Sequence, residues 1–114
     1  MKEFLYKELT DQIIKSFYTV YNSLGFGFLE KVYQNALMIE LQKQGIHVEK
    51  QKQIKVYYEA QIVGEYFADI IVEGRIIIEL KAAEFLVEEH ELQLINYLKA
   101  TDKEIGLLLN FGRK

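Results

Sequence analysis

The sequence predicts a single α/β domain of the α+β kind, in which helices flank a mixed β-sheet in the order ααβββ(β)αβ. Helical periodicity covers the first part of the chain, short apolar runs typical of strands follow, and one more helix precedes a final apolar strand. All 114 residues form one predicted domain, and a hydrophobic content of 50% excludes a disordered chain.

Composition limits the class of protein further. The chain has no cysteine, which excludes disulfides and thiolate metal sites, and we expect a cytoplasmic protein. No run approaches the ~20 apolar residues of a membrane span, so no membrane partner is expected. The net charge of -3 argues against a general polyanion-binding protein, although clustered carboxylates that bind cations would cancel part of it.

Two helices are predicted at the start. Residues 7–24 have apolar side chains at helical spacing, with Thr10 or Asp11 as the candidate N-cap. Residues 28–44 have a broad apolar face, and Gly45 is the expected C-terminal stop. Both helices therefore precede the sheet.

Strands are predicted after the second helix. Residues 46–55 indicate an edge strand, because lysine side chains discourage unwanted edge pairing. Residues 56–58 and 61–66 are predicted as two further short strands around a turn at residues 59–60, and they lead into a strand containing Asp69. The lysines of the predicted edge strand are Lys50, Lys52 and Lys55.

The remaining elements complete the sheet. A third helix is predicted over residues 88–100, and residues 105–111 form an apolar strand that we expect at the centre of the sheet. The helix allows this strand to return beside an earlier one through a crossover, which makes the sheet mixed. The residues of the third helix that we expect to face inward are Leu92, Ile95 and Leu98, with Leu94 as a further candidate.

Three charged residues, Asp69, Glu79 and Lys81, lie in otherwise apolar strands. Such groups destabilise a fold unless they pair or bind a metal. Glu79 and Lys81 are two residues apart and therefore project from the same face. Asp69 lies opposite Glu79 only if the connection has an odd number of residues. We therefore predict a three-residue loop at 73–75, with Gly74 or Arg75 in the left-handed region or a bulge nearby.

The D-x9-E-x-K spacing suits a site for a hard divalent cation beside a phosphate. Mg²⁺ or Mn²⁺ would take oxygen ligands from Asp69 and Glu79, and the carbonyl of Leu80 between the motif side chains is a further candidate ligand. Lys81 would position or help deprotonate an attacking water, or offset charge on the phosphate. The alternative is a simple ion pair in a half-exposed hairpin.

Two helical patterns could add to this site. Glu30 and Tyr33 share one helical face, and a first-turn glutamate is usually a dipole partner or cap. Alternatively, Glu30 is a third acidic ligand, directly or through water, and Tyr33 contacts nucleic acid. Gln93 and Tyr97 are stacked four residues apart. They belong either to an ordinary amphipathic helix or to a pair that reaches over the site to orient Lys81, a water or the scissile phosphate.

Together these motifs resemble the PD-(D/E)XK nuclease superfamily. The motifs that carry the resemblance are Asp69, Glu79-x-Lys81, Gln93-x3-Tyr97 and Gly27-x-x-Glu30-x-x-Tyr33. The third is similar to the Q-x3-Y motif of recombination-type exonucleases, and the fourth resembles the signature of the small GxxExxY family. The likeness covers nearly the whole chain. The proline expected before the acid is replaced by Ala68, at a position that varies across the superfamily.

This resemblance implies a restriction-endonuclease-like core with a divalent metal between adjacent strands. It implies metal ligands at Asp69 and Glu79, a catalytic lysine at Lys81 and a helical acid at Glu30. It also implies that the Q-x3-Y residues, Gln93 and Tyr97, support the catalytic groups.

The sequence thus favours a Mg²⁺-dependent nuclease that acts on nucleic acid, with DNA as the expected substrate. Lys50, Lys52 and Lys55 would contact phosphates, or would only protect the strand edge. A homodimer would extend the groove of so small a domain. Two alternatives stay open: a nuclease-fold module that binds nucleic acid or protein without turnover, and an interaction domain whose charges are surface ion pairs.

Overall fold

The structure, a computed structural model, describes residues 2–101, 103 and 105–112. The predicted α/β architecture, with helices on both sides of a mixed sheet, is confirmed. The elements in chain order are α1 (Lys2–Leu24), α2 (Glu30–Lys43), β1 (Val48–Tyr58), β2 (Gln61–Val72), β3 (Ile76–Lys81), α3 (Glu88–Lys99) and β4 (Ile105–Asn110). None of the helices in this described part is long and apolar enough to cross a membrane.

The sheet has the strand order β1-β2-β3-β4. The β1–β2 and β2–β3 pairs are antiparallel, and β4 runs parallel to β3 after the crossover through α3, as predicted. The edge position predicted for β1 is confirmed. The central position predicted for β4 is wrong. Its apolar composition reflects contact with clusters on both faces of the sheet, through Leu107 and Leu108 for example, and not strands on both sides.

Two element boundaries also differ from the prediction. The predicted turn at Glu59 and Ala60, whose φ angles are 49° and 65°, is confirmed, but the short strands predicted between residues 46 and 72 are two long strands, one on each side of this turn. Positive φ at both central residues is typical of a two-residue hairpin turn. The start of α1 lies well before the predicted cap, so Asp11 is inside the helix, where its carboxylate accepts a 2.8 Å hydrogen bond from Lys7.

The packing of α3 corrects the predicted inward face. Leu94 is 7% exposed, whereas Leu92 and Ile95 are 49% and 46% exposed. Leu94 packs against Gly106 of β4, where a Cβ atom would lie 2.8 Å from a Leu94 methyl carbon. Leu98, one turn later, packs against the same cluster. The close approach to a glycine therefore decides which side of the helix faces the sheet.

The two faces of the sheet carry separate hydrophobic clusters. The first packs under α1 and α2 and includes Ile70, and the second packs under α3 and includes Ala68. Strand residues two apart normally face the same side, so the alternation of β2 reverses at Asp69 between them. Gln51, at the matching point of β1, has a φ of 53°. Asp69 therefore lies at the point where the alternation of side chains along β2 reverses, between Ala68 on one face and Ile70 on the other.

Candidate active site

The β2–β3 hairpin has the predicted register. Its loop consists of residues 73–75, Gly74 has a φ of 64°, and the last pair of the ladder is Ile70 with Ile78. Continuing this register by one residue places Asp69 opposite Glu79. The predicted three-residue loop and left-handed glycine are therefore confirmed.

The β2–β3 ladder is continued by the Asp69 side chain. Asp69 Oδ2 accepts a 2.7 Å hydrogen bond from the Leu80 amide. The amide and carbonyl of one strand residue project to the same side, so the Leu80 carbonyl also faces the β2 side. The Asp69 carboxylate and the Leu80 carbonyl therefore lie on the same side of β3, at the point where β2 and β3 separate.

Glu79 is a buried carboxyl with an unsatisfied oxygen. It is 8% exposed, it follows three fully buried isoleucines, and no group of the described residues forms a hydrogen bond with its Oε1. Burial, the largest cause, and the negative charge of Asp69 together raise the pKa of Glu79 to about 8, against the opposing effect of Lys81. At neutral pH this carboxyl therefore holds a proton unless a cation compensates its charge.

The donor set fits a hard divalent ion. Mg²⁺ is commonly bound through one or two carboxylates, with water and substrate phosphate completing its shell. Asp69, Glu79 and the Leu80 carbonyl supply such oxygens, and the orphaned Glu79 Oε1 gains a partner when a cation is bound. In the described part of the chain no three Asp, Glu, His or Cys side chains come close enough to hold an ion together.

Glu30 shares a cavity with one member of this pair, Asp69. It is the first residue of α2, and it lines a cavity of about 440 Å³ together with Asp69. It does not join the two carboxylates as a direct third ligand, which leaves the predicted contact through water. Lys31, which the sequence analysis missed, lines the same cavity as Lys50. Its position directly after Glu30 was the available signal.

Lys81 lies on a rigid part of the backbone. Its carbonyl accepts a 2.7 Å hydrogen bond from the Phe111 amide. Ala83, two residues after Lys81, forms two hydrogen bonds with the Asn110 side chain. Its amide donates to the side-chain oxygen at 3.0 Å, and its carbonyl accepts from the side-chain nitrogen at 2.9 Å. Because a Cβ atom on Gly112 would lie 1.7 Å from the Ala83 oxygen, only glycine fits there. These contacts fix the chain that follows the lysine.

Gln93 and Tyr97 both lie on α3, and Tyr97 is within electrostatic range of Glu79 and Asp69. Gln93 hydrogen-bonds Tyr97, whose pKa is raised by burial and by the charge of Glu79. The ring of Tyr97 stacks on Tyr66 with a 3.3 Å centroid distance and a 13° interplanar angle. Sequence reasoning missed Tyr66, because the reversal of side-chain alternation at Asp69 leaves no pattern in the sequence.

Tyr33 does not contact the solvent. It is fully buried, its hydroxyl donates to the Gly25 carbonyl at 2.6 Å, and it accepts from the Phe28 amide at 3.2 Å. Its ring stacks on Phe111 with a 4.4 Å centroid distance. The predicted contact of Tyr33 with nucleic acid is therefore wrong: this residue holds the loop that leads to Glu30.

The three predicted phosphate-binding lysines have different environments. Lys50 lines the cavity and its ammonium lies 3.5 Å from the Asn35 side-chain oxygen. Lys52 forms an ion pair with Glu49 at 3.3 Å, and Lys55 is exposed. All three lie on the edge strand β1. For Lys52 and Lys55, protection of that edge is as good an explanation as phosphate binding.

A mixed sheet that brings an acid and an E-x-K motif together on adjacent strands defines a restriction-endonuclease-like α/β domain. The sequence model of the PD-(D/E)XK nuclease superfamily matches residues 7–114. The chain therefore belongs to this superfamily, whose members are usually hydrolytic nucleases that act on nucleic acid. No curated protein and no solved structure matches the chain.

Proposed function

We propose that this protein is a Mg²⁺- or Mn²⁺-dependent nuclease that hydrolyses phosphodiester bonds in DNA. Within the superfamily we place it in the GxxExxY family and the branch with a Q-x3-Y motif. The observation that carries the proposal is the buried Glu79 carboxyl, which has an unpartnered oxygen and lies beside Asp69. At neutral pH a carboxyl so placed becomes a carboxylate only when a cation compensates its charge.

Each residue has a defined part in this reaction. Asp69, Glu79 and the Leu80 carbonyl would hold the ion, which when bound supplies positive charge that polarises the scissile phosphate. The Lys81 ammonium lies on the same face as Glu79. It orients the attacking water, or offsets negative charge that builds on the phosphate. Glu30 acts across the cavity through water.

The surroundings of the acids suit a polyanionic substrate. Lys31 and Lys50 line the cavity that Glu30 and Asp69 also line, so cations flank the acidic centre despite the net charge of -3. Phosphate contacts of this kind position a nucleic acid without reading its sequence. On the Glu79 side of the centre, Tyr97 of α3 is near enough for the charge of Glu79 to raise its pKa.

The homodimer and the cytoplasmic location stay predictions. A dimer would lengthen the surface available to a duplex. Light scattering after size-exclusion chromatography, at several protein concentrations and with and without DNA, tests it.

Cleavage assays test the proposed function. Single-stranded, duplex and branched DNA, with RNA of matching sequence, are incubated with Mg²⁺, Mn²⁺ or EDTA. We expect metal-dependent cleavage of DNA that falls ~100-fold or more in Glu79→Ala and in Lys81→Ala. Glu89→Ala and Lys99→Ala, at exposed positions of α3, are the matched controls.

The outcomes separate the alternatives. Cleavage that survives both site substitutions would remove this mechanism. DNA binding without cleavage would favour the non-catalytic module. Thermal stability that does not respond to Mn²⁺ or Mg²⁺ would favour an interaction domain.

A further inference from the structure

Two buried polar side-chain atoms lack a hydrogen-bond partner within the described residues, and they belong to neighbouring groups. They are Glu79 Oε1 and the hydroxyl oxygen of Tyr66. Buried polar atoms without a partner are rare in folded proteins, and water or an ion usually accounts for them. Their occurrence at the same place calls for one explanation.

Tyr66 and Glu79 lie on the same face of the sheet. Tyr66 packs against the cluster that contains Ile77, and Glu79, two residues after Ile77, projects from that face. The pKa of Tyr66 is raised by burial and by the charge of Glu79, so the two groups are within electrostatic range. The phenol and the carboxyl therefore lie near each other on the face of the sheet that α3 covers.

The position of the Tyr66 ring is fixed from the other side. Tyr97 stacks flat on it, and Tyr97 is itself hydrogen-bonded to Gln93. The hydroxyl of Tyr97 is thus already engaged, whereas that of Tyr66 is not. Tyr97 of the Q-x3-Y pair therefore supports the ring of Tyr66, which extends from β2.

We infer that Tyr66 is a positioning residue for Glu79. Its hydroxyl donates a hydrogen bond to one water molecule, and this water donates to Glu79 Oε1, which holds the carboxylate in the orientation that binds the cation. A buried water needs two or more polar partners, and these two atoms supply them. This inference rests on the proposed metal-dependent function. Residues that orient metal ligands typically change metal affinity by 10–100-fold when replaced.

Tyr66→Phe tests the inference because it removes the hydroxyl and keeps the ring on Tyr97. We expect its Mn²⁺ dissociation constant, from thermal-shift titration, to increase about tenfold. In EDTA its Tm should stay unchanged or rise, because phenylalanine leaves no buried hydroxyl without a protein partner. Tyr58→Phe, an exposed tyrosine at the end of β1, is the matched control and should change neither quantity.

Each outcome decides between the two proposals. If the parent protein does not respond to Mn²⁺, the proposed function fails. If the parent responds and Tyr66→Phe binds Mn²⁺ equally well, only the role of Tyr66 fails. A Tm several degrees lower in EDTA would show that the hydroxyl has a structural partner, and would also overturn this role. A high-resolution crystal structure of the parent should show water density between the two oxygens, and its absence would contradict the inference.

Discussion

Replacement of Glu79 by glutamine should stabilise the metal-free protein, by an amount that grows with pH. The pKa of Glu79 is raised from 4.5 to about 8, mainly by burial. Between these values the folded protein binds a proton that the unfolded chain has released. The free energy of unfolding of the parent therefore falls as pH rises through this window. Glutamine carries no such proton, so the variant does not share the decline.

The structure sets the size of the effect. The difference between about 8 and 4.5 is about 3.5, which at about 1.36 kcal/mol per pKa unit gives on the order of 5 kcal/mol as an upper limit. Below pH 4.5 both side chains are neutral, and the remaining difference comes only from the hydrogen bonds of the amide. Most of the gain should therefore appear between pH 5 and pH 8.

Urea unfolding in EDTA at unit steps across this window measures the difference. The stability of Glu79→Gln relative to the parent should increase with each step, by about 1.4 kcal/mol at most. Glu89→Gln, at an exposed position of α3, should show a constant difference. A constant difference for Glu79→Gln as well would refute the reasoning. With Mn²⁺ at 100 times its dissociation constant the parent should gain about 2.7 kcal/mol and the variant little.

Three further predictions follow from the same contacts. A proton competes with the cation at Glu79, so the Mn²⁺ dissociation constant, measured by calorimetry, should increase up to about tenfold for each pH unit below about 8; a constant value would contradict the raised pKa. Asp69→Asn removes the negative charge beside Glu79, so in the same urea experiments the free energy of unfolding should fall over a lower pH range in this variant than in the parent. An unchanged pH range would show that burial alone raises the pKa of Glu79. Tyr33→Phe loses the hydrogen bonds to Gly25 and Phe28, so its free energy of unfolding in urea should be about 1–2 kcal/mol lower than that of the parent. At exposed Tyr57, the change to phenylalanine should alter this free energy by less than about 0.5 kcal/mol. Equal effects would mean that the loop does not need the Tyr33 hydroxyl.

The part of the site that follows from strand geometry could be predicted from the sequence. Side chains alternate along a strand, so the number of loop residues alone decides whether Asp69 meets Glu79. The same local reasoning places Gln93 and Tyr97 on one side of a helix. Both arrangements depend on neighbours in sequence, which a reader of the sequence can see.

The rest depends on contacts between distant residues. The apolar residues of α3 occupy more than one face, and only the approach to Gly106 selects Leu94 over Leu92. Tyr33 is buried because Phe111, far along the chain, stacks on it. The position of Tyr66 follows from a backbone irregularity beside Asp69 that no periodicity encodes.

Phe111 connects two parts of the site that lie far apart in the sequence. Its ring packs on Tyr33, which holds the loop before Glu30, and its amide binds the carbonyl of Lys81. A substrate strand that displaced the start of α2 would therefore also shift the main chain that carries the lysine. Loading of the cavity would in this way change the alignment of the Lys81 ammonium group.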